Sequence, residues 1–483
     1  LNFLKLKYEK IKGGNMNILL LSMSKLSVRE GIIEESKCKW TDENNTEHEI
    51  EYYSQLEPIT RMLIEAGEIP DEVIMLCTRE SVEQVSFMLK DEEKIMSPCE
   101  FYQERINLQL KNEKEIHYIT MPQRRTLNST DLESKRQAIA EIAEYVLKKK
   151  KEAGDLNLWI DTQGGLRDIS LLMNAVFSLL KTSDVVPKGI YSINFEGGKG
   201  TIQKQNVTYQ IFDFVSGMNE FIEYGRADQL LTYYKSIKEE IPPVVQTMND
   251  LSEAIMLCNT DEFDRQLIEL RKQIRKADKS DPLFSVFIEQ IKNDYKKILD
   301  DNATSLDIVE WLVSKKLYQQ TLTYIESKVP AEWEEKYIIH FESNKEIPEE
   351  VFPKYNTNPF PNELNYYIGM LLDVSKLDKA ESKISLISSV NEILKMRWMQ
   401  IEKGSDATFD YPKKGSPYVI TVSTNTNNKK LLSKQILMYR IIKDERNKWN
   451  HMMNTKRMTR KELTTVINEF IQNGRRLYAD IQA

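Results

Sequence analysis

Two groups of residues in this sequence have types and spacings suited to chemistry. The first is RNKWNH at 446–451, where Arg446 is followed by Asn447 and, five positions on, by His451. Histidine moves protons near neutral pH. Arginine offers forked N–H donors to phosphate oxygens. Together they suit cleavage of RNA without a metal. His451 would activate the 2′-hydroxyl or protonate the leaving oxygen, and Arg446 would offset the extra negative charge on five-coordinate phosphorus. Asn447 would position a phosphate or orient the histidine. Residues five apart on a helix do not share a face, so one copy makes a poor active site. Two copies facing across a twofold axis would line one cleft with two histidines and two arginines. An R-x4-H match arises by accident in roughly one such chain in six. The basic C-terminal segment and the scarcity of other histidines add weight here. His48, His117 and His340 read as structural or surface residues, and Trp449 reads as core rather than as a base-stacking platform.

The second group lies in two loops. SMSKLS (22–27) follows an apolar run and carries the hydroxyls of Ser22 and Ser24 with no bulky charge. IDTQGGLRD (160–168) follows another, with Asp161, Thr162, Gln163 and Arg167 as donors and acceptors. Gly164 and Gly165 let the backbone approach a ligand closely. The helix that follows presents free N–H groups, which favour anions. An ordinary strand-to-helix turn remains the competing interpretation. No GxGxxG follows the first strand, which argues against a dinucleotide cofactor. EGGKGT (196–201) fails the phosphate-loop pattern because position 193 is Ile, and it reads as a turn.

The elements needed to position these loops are legible in the first half. MNILLLS (16–22) reads as a buried parallel strand. EVIMLCT (72–78), IHYITMP (116–122), LNLWIDT (156–162), KGIYSINF (188–195) and VTYQIFDF (207–214) read as further strands, the last two forming a closing hairpin. Helical patterns fall between them at 57–67, 81–93, 132–151 and 167–182, the second opened by a capping box from Ser81 to Gln84. Residues 37–54 read as a β-ribbon excursion. This βαβα order predicts a mainly parallel sheet with helices on both faces. Ligands then bind outside the carboxyl ends of the strands, where both loops lie.

From about Phe214 the strand signals mostly vanish. Helices are expected over 217–241 and on to residue 300, then over 305–329 with Pro330 as a stop. Residues 341–362 read as an interdomain loop and 406–428 as a loop excursion. Helices are expected over 381–403 and 429–451, with a further helix opened by a Thr459–Glu462 capping box. The charge is uneven. Residues 363–483 hold 21 Lys+Arg against 13 Asp+Glu, a balance of +8. The remaining 46 basic and 61 acidic side chains (67 − 21 and 74 − 13) leave −15 for residues 1–362. A basic segment on an acidic protein suggests a local polyanion site, against the alternative of a merely solubilising face.

With 483 residues, two or three domains are expected. No segment approaches the roughly 20 apolar residues of a membrane span. Residues 1–15 have no signal-peptide pattern and read as an extension upstream of a domain starting near Met16. Cys38, Cys77, Cys99 and Cys258 form no CxxC pair, read as apolar fillers and fit a reducing cytoplasm.

MNILLLSMS and LWIDTQGGLRDISLLMNAVFSLL resemble the CARF domain, the CRISPR-associated Rossmann fold. R-N-x-x-x-H resembles the HEPN ribonuclease motif, including its common asparagine after the arginine. The order of the parts resembles the ancillary ribonucleases of type III CRISPR systems. The resemblance implies an α/β Rossmann-like CARF domain over 16–225, an all-α linker domain over 226–345 and an all-α HEPN domain over 346–483. It implies a homodimer that binds a cyclic oligoadenylate at Ser22, Ser24, Asp161, Thr162, Gln163, Gly164, Gly165 and Arg167. Single-stranded RNA would then be cut by Arg446, Asn447 and His451, with no metal and no cofactor beyond the activator. The products would carry 2′,3′-cyclic phosphate and 5′-hydroxyl ends. The hydroxyls of Ser22, Ser24 and Thr162 leave slow self-cleavage of the ligand open. A non-catalytic CARF regulator that binds a partner or nucleic acid is the alternative, and a HEPN toxin under other control is a third.

Overall fold

The computed structural model describes residues 15–348, 351, 368, 401, 406–450 and 457–482, apart from short breaks at 112–113, 129, 165–166, 197–198, 238–239 and 277–281. The chain divides into two compact units, 1–210 and 211–483.

The first unit runs β1 (Met16–Ser22), β2 (Ser36–Thr41), β3 (Glu47–Tyr52), α1 (Glu57–Glu65), β4 (Glu72–Leu76), α2 (Arg79–Val82), β5 (Val85–Leu89), β6 (Glu92–Met96) and α3 (Pro98–Leu110). It continues with β7 (His117–Met121), α4 (Leu132–Ala153), β8 (Leu156–Asp161), α5 (Arg167–Lys181), β9 (Gly189–Glu196) and β10 (Lys199–Lys204), and α6 (Asn206–Tyr224) leads out of it. Eight strands form one sheet in the order β3-β2-β10-β9-β8-β1-β4-β7. The five from β9 to β7 are parallel. Their apolar runs are buried because helices cover both faces. Ile59, Met62, Tyr102 and Ile106 of α1 and α3 pack on one face. Ala138, Ile142, Met173 and Val176 of α4 and α5 pack on the other. This is the doubly wound arrangement that the βαβα pattern predicts, and 37–54 is the expected ribbon.

Two segments of this unit differ from the sequence reading. Residues 81–93 are not a helix: after the single turn α2 the chain forms the β5–β6 hairpin. The capping-box pattern is outweighed by the period-two alternation that buries Phe87 and Leu89. Lys90 and Asp91 take the two positive φ angles (51° and 68°) that a tight hairpin turn requires. Residues 207–214 are not a strand either. They belong to α6, because Phe214, Met218, Phe221 and Ile222 continue at helical spacing into an apolar core. The hairpin partner of β9 is β10, which begins inside the stretch read as a turn. Helix α3, which the sequence reading passed over, opens with a capping box between Ser97 and Glu100.

The second unit continues through α7 (Asp228–Ile237), α8 (Pro243–Met256), α9 (Thr260–Lys276), α10 (Pro282–Asp294), α11 (Ser305–Ser314), α12 (Tyr318–Glu335), β11 (His340–Ser343), β12 (Ala407–Tyr411), β13 (Tyr418–Ser423), α13 (Lys429–Asn450) and α14 (Arg460–Gln482). One apolar core runs through it from Phe214 to Tyr478. The unit is not all-α. Antiparallel β11, β13 and β12 form a three-stranded sheet, and YVITVS (418–423) alternates buried and half-buried residues as a strand should. The stretch 217–241 is broken where Gly225 takes a φ of +68°. The stretch 305–329 is broken at Lys316, and α12 runs on through Pro330. The helix expected over 381–403 lies outside the described residues except at residue 401, which is helical.

Candidate functional sites

In the first unit, β1 and β8 end side by side, with Leu21 level with both Asp161 and Met75. The two loops that follow are packed together. A Cβ added at Gly164 would stand 1.8 Å from the Ser22 carbonyl oxygen and 2.5 Å from a Leu56 methyl. Gly164 thus serves a close approach between two pieces of main chain, where no side chain fits. Gly164→Ala is expected to lower stability by at least about 2 kcal/mol, because a backbone oxygen cannot swing aside as a side chain can. Thermal unfolding measures this. An unchanged melting temperature would mean that the loop does not sit on Ser22.

Asp161 ends β8 and is fully buried. Its Oδ1 accepts the Gln163 N–H at 2.7 Å. Its Oδ2 has no hydrogen-bond partner. Burial pushes its pKa up to about 7, and the Gln163 N–H offsets only part of that. Thr162 donates from both its backbone N–H and its hydroxyl to the Tyr191 carbonyl, at 3.0 Å each. The Gln163 side-chain carbonyl accepts the Ile193 N–H at 2.9 Å. Ser22 is buried and its hydroxyl is unpartnered. Ser24 is half-buried and accepts from the Gln55 amide at 2.8 Å. Arg167 opens α5. Gly165 lies outside the described residues. The structure therefore brings Ser22, Asp161, Thr162, Gln163 and Gly164 to adjoining strand ends. The orphaned Ser22 hydroxyl and Asp161 oxygen are buried polar groups that a packed turn does not account for. Gln55, Tyr191 and Ile193, which brace the loops, carry no sequence signal, because each acts through main chain or from another element.

In the second unit, Arg446 and Asn447 sit in the last turns of α13, which packs between α12 and α14. The Arg446 Nε stands 3.1 Å from Glu326 Oε2 of α12 as an ion pair. Neither atom has hydrogen-bond alignment to the other. The far end of the guanidinium donates to Asn447 Oδ1 at 3.1 Å. Lys443 approaches the same Glu326 at 3.4 Å, and burial lowers its pKa. His451 lies outside the described residues. The chain on either side of it is tied down: buried Glu445 accepts the Met458 N–H at 2.9 Å and pairs with Lys448 at 3.1 Å. This bridge holds the start of α14 against the end of α13. The Thr459–Glu462 capping box forms as expected, with Thr459 N–H donating to Glu462 at 2.8 Å. Trp449 is not core. It is 40% exposed, with the Arg457 guanidinium 5.7 Å over its ring. On α13 it falls on the side away from the apolar core. Glu326 and Glu445 were not singled out from the sequence, since lone glutamates in charged helices give no cue.

A doubly wound α/β domain followed by a helical segment sets the class, and the helical segment specifies it further. Residues 210–304 match the family model described as the second domain of CRISPR-associated protein MJ1674. That match spans 95 of the 483 residues (210 to 304 inclusive). Among solved structures, Csm6 of Enterococcus italicus, bound to cyclic hexa-2′-fluoro-hexa-dAMP, is similar at 11% identity and a TM-score of 0.32. The alignment covers 97% of this chain and 95% of that one. No curated protein matches the sequence. No described helix is long and apolar enough to cross a membrane.

Proposed function

We propose that this protein is a metal-independent endoribonuclease of type III CRISPR defence that cyclic oligoadenylate activates, working as a cytoplasmic homodimer. Three things support the reading: the match of 210–304 to a CRISPR-associated domain, the orphaned polar groups at the β1 and β8 ends, and the R-N-x-x-x-H motif. The observation that carries it is the placement of Arg446 and Asn447 in the last turns of a helix that Glu445 ties to the start of the next one. The anionic ligand would meet Ser24, Gln163 and the start of α5, where N–H groups and dipole favour negative charge. Leu171 and Leu179 of α5 are exposed, which suits a self-associating face. In the second unit, His451 would take the proton of the 2′-hydroxyl as its oxygen attacks the adjacent phosphorus, and a histidine would return a proton to the departing 5′-oxygen. Arg446 would stabilise the five-coordinate phosphorane. The test is cleavage of a fluorescent single-stranded RNA in EDTA, with cyclic tri-, tetra-, penta- or hexa-adenylate added singly. Cutting that depends on one ring size is the expected result. Ligand binding with no cutting would move the protein to the second reading, a non-catalytic sensor. The pairing of Arg446 with Glu326 favours that alternative, because a guanidinium held by a carboxylate is partly neutralised.

A further inference from the structure

The four cysteines are scattered in sequence, yet the fold brings two of them into contact. Cys77 follows β4, and Cys99 is the second residue of α3. Their Sγ atoms lie 3.4 Å apart and one thiol hydrogen-bonds the other. Both are buried. Cys38 and Cys258 have no such neighbour among the described residues. We infer that Cys77 and Cys99 form a reversible dithiol–disulfide pair that a peroxide oxidises, stapling the excursion 78–98 to the sheet.

The geometry supports this in three ways. First, the sulfurs need to move only from contact distance to a bond of about 2.05 Å. Second, the two thiols are not equivalent. Cys99 is the second residue of α3, at a helix N-terminus that favours a thiolate, whereas the Cys77 Sγ also lies 3.4 Å from the Met75 carbonyl oxygen, to which its S–H can donate. Cys99 is therefore the nucleophile and Cys77 the resolving thiol. Third, the cover over them is thin. Helix α2 is a single turn in which only Ser81 is buried, and Glu83 and Gln84 are exposed. Opening that turn admits a small oxidant without global unfolding.

The steps balance. The Cys99 thiolate attacks one peroxide oxygen, the O–O bond breaks, and with one proton taken up the products are a sulfenic acid and water. The Cys77 sulfur then attacks the sulfenic sulfur and loses its proton, and hydroxide leaves as water. Two thiols and one peroxide give one disulfide and two waters. A thiol reductant such as glutathione reverses it by exchange.

The staple would close the loop that holds α2 and the β5–β6 hairpin, beside the β4 end that hydrogen-bonds Met23 after β1. The experiment uses the full chain. Reduced protein is treated with hydrogen peroxide, free thiols are alkylated, and the protein is digested without reductant for mass spectrometry. The expected result is a Cys77–Cys99 linked peptide that dithiothreitol removes. Hydrogen exchange of the Val85–Met96 hairpin should slow by about tenfold on oxidation, since the linkage restricts its local opening. Cys77→Ala should abolish both changes and leave Cys99 trapped as sulfenic or higher acid. Peroxide treatment that leaves both thiols alkylatable, or that links either one to Cys38 or Cys258 instead, would overturn the inference. So would oxidation of the pair with hairpin exchange unchanged. Because the linked peptide is read in the unmutated protein, a variant that folds poorly does not obscure the outcome.

Discussion

Replacing His451 with alanine should lower activated RNA cleavage by at least about 100-fold, the scale of removing one general acid–base. It should leave binding of cyclic oligoadenylate unchanged, because the candidate ligand loops lie in the other unit. Arg446→Ala should have a comparable effect, about 100- to 1000-fold, through loss of charge stabilisation at phosphorus. Arg446→Lys should not restore it, since a single ammonium cannot reproduce the guanidinium fork. Glu326→Gln separates the roles further. It frees Arg446 from its ion pair and also strips half-buried Lys443 of its carboxylate. If the Glu326 pairing restrains Arg446, this variant should cut RNA without activator more than the parent does, at some loss of stability. Single-turnover rates and ligand titration calorimetry read both quantities. Activity that survives His451→Ala would rule out the assigned chemistry.

The parts of the fold that were legible in the sequence are those that one local signal governs. The runs MNILLLS and LNLWID are apolar on both faces, and only a strand inside a covered parallel sheet needs that. They gave β1 and β8, and with them the two loops at their ends. The segments misread from sequence carry two signals at once. Ser81 and Gln84 spell a capping box, but Phe87 and Leu89 alternate, and burial of two large side chains outweighs one cap. VTYQIFDF is rich in strand formers, and only the apolar positions beyond it, Met218, Phe221 and Ile222, show the helical period. YVITVS alternates clearly, but polar turns surround it and no neighbouring strand was recognised. The rest was invisible because it depends on elements distant in sequence. The doublet Gly164-Gly165 was legible as a close approach, yet the group that approaches Gly164 is the carbonyl of Ser22, supplied by another strand. Glu326 meets Arg446 only because α12 packs against α13.

Asp161→Asn should remove a pH dependence from the stability of the protein. The folded pKa of Asp161 is about 7, above the roughly 3.9 of an unfolded aspartate. Between those values the folded protein holds a proton that the unfolded chain has lost. Stability therefore declines as pH rises through this window and levels off above the folded pKa. A difference of about three pH units corresponds to about 4 kcal/mol as an upper bound. The physical cause is a carboxylate with one N–H donor and one orphaned oxygen in a fully buried position. Asparagine keeps a carbonyl oxygen to accept the Gln163 N–H and cannot ionise. Urea unfolding at about pH 5 and about pH 8 should show the unmutated protein losing more stability than the variant over that range. Matching losses in the two proteins would mean that Asp161 does not titrate there. The same group bears on the proposed ligand. A polyanion at the strand ends disfavours a second negative charge beneath it, so binding should draw a proton onto Asp161 and weaken as the solution becomes alkaline. In Asp161→Asn that slope should disappear. Calorimetry in buffers of different ionisation enthalpy measures the proton uptake directly, and an uptake equal in both proteins would place the titrating group elsewhere.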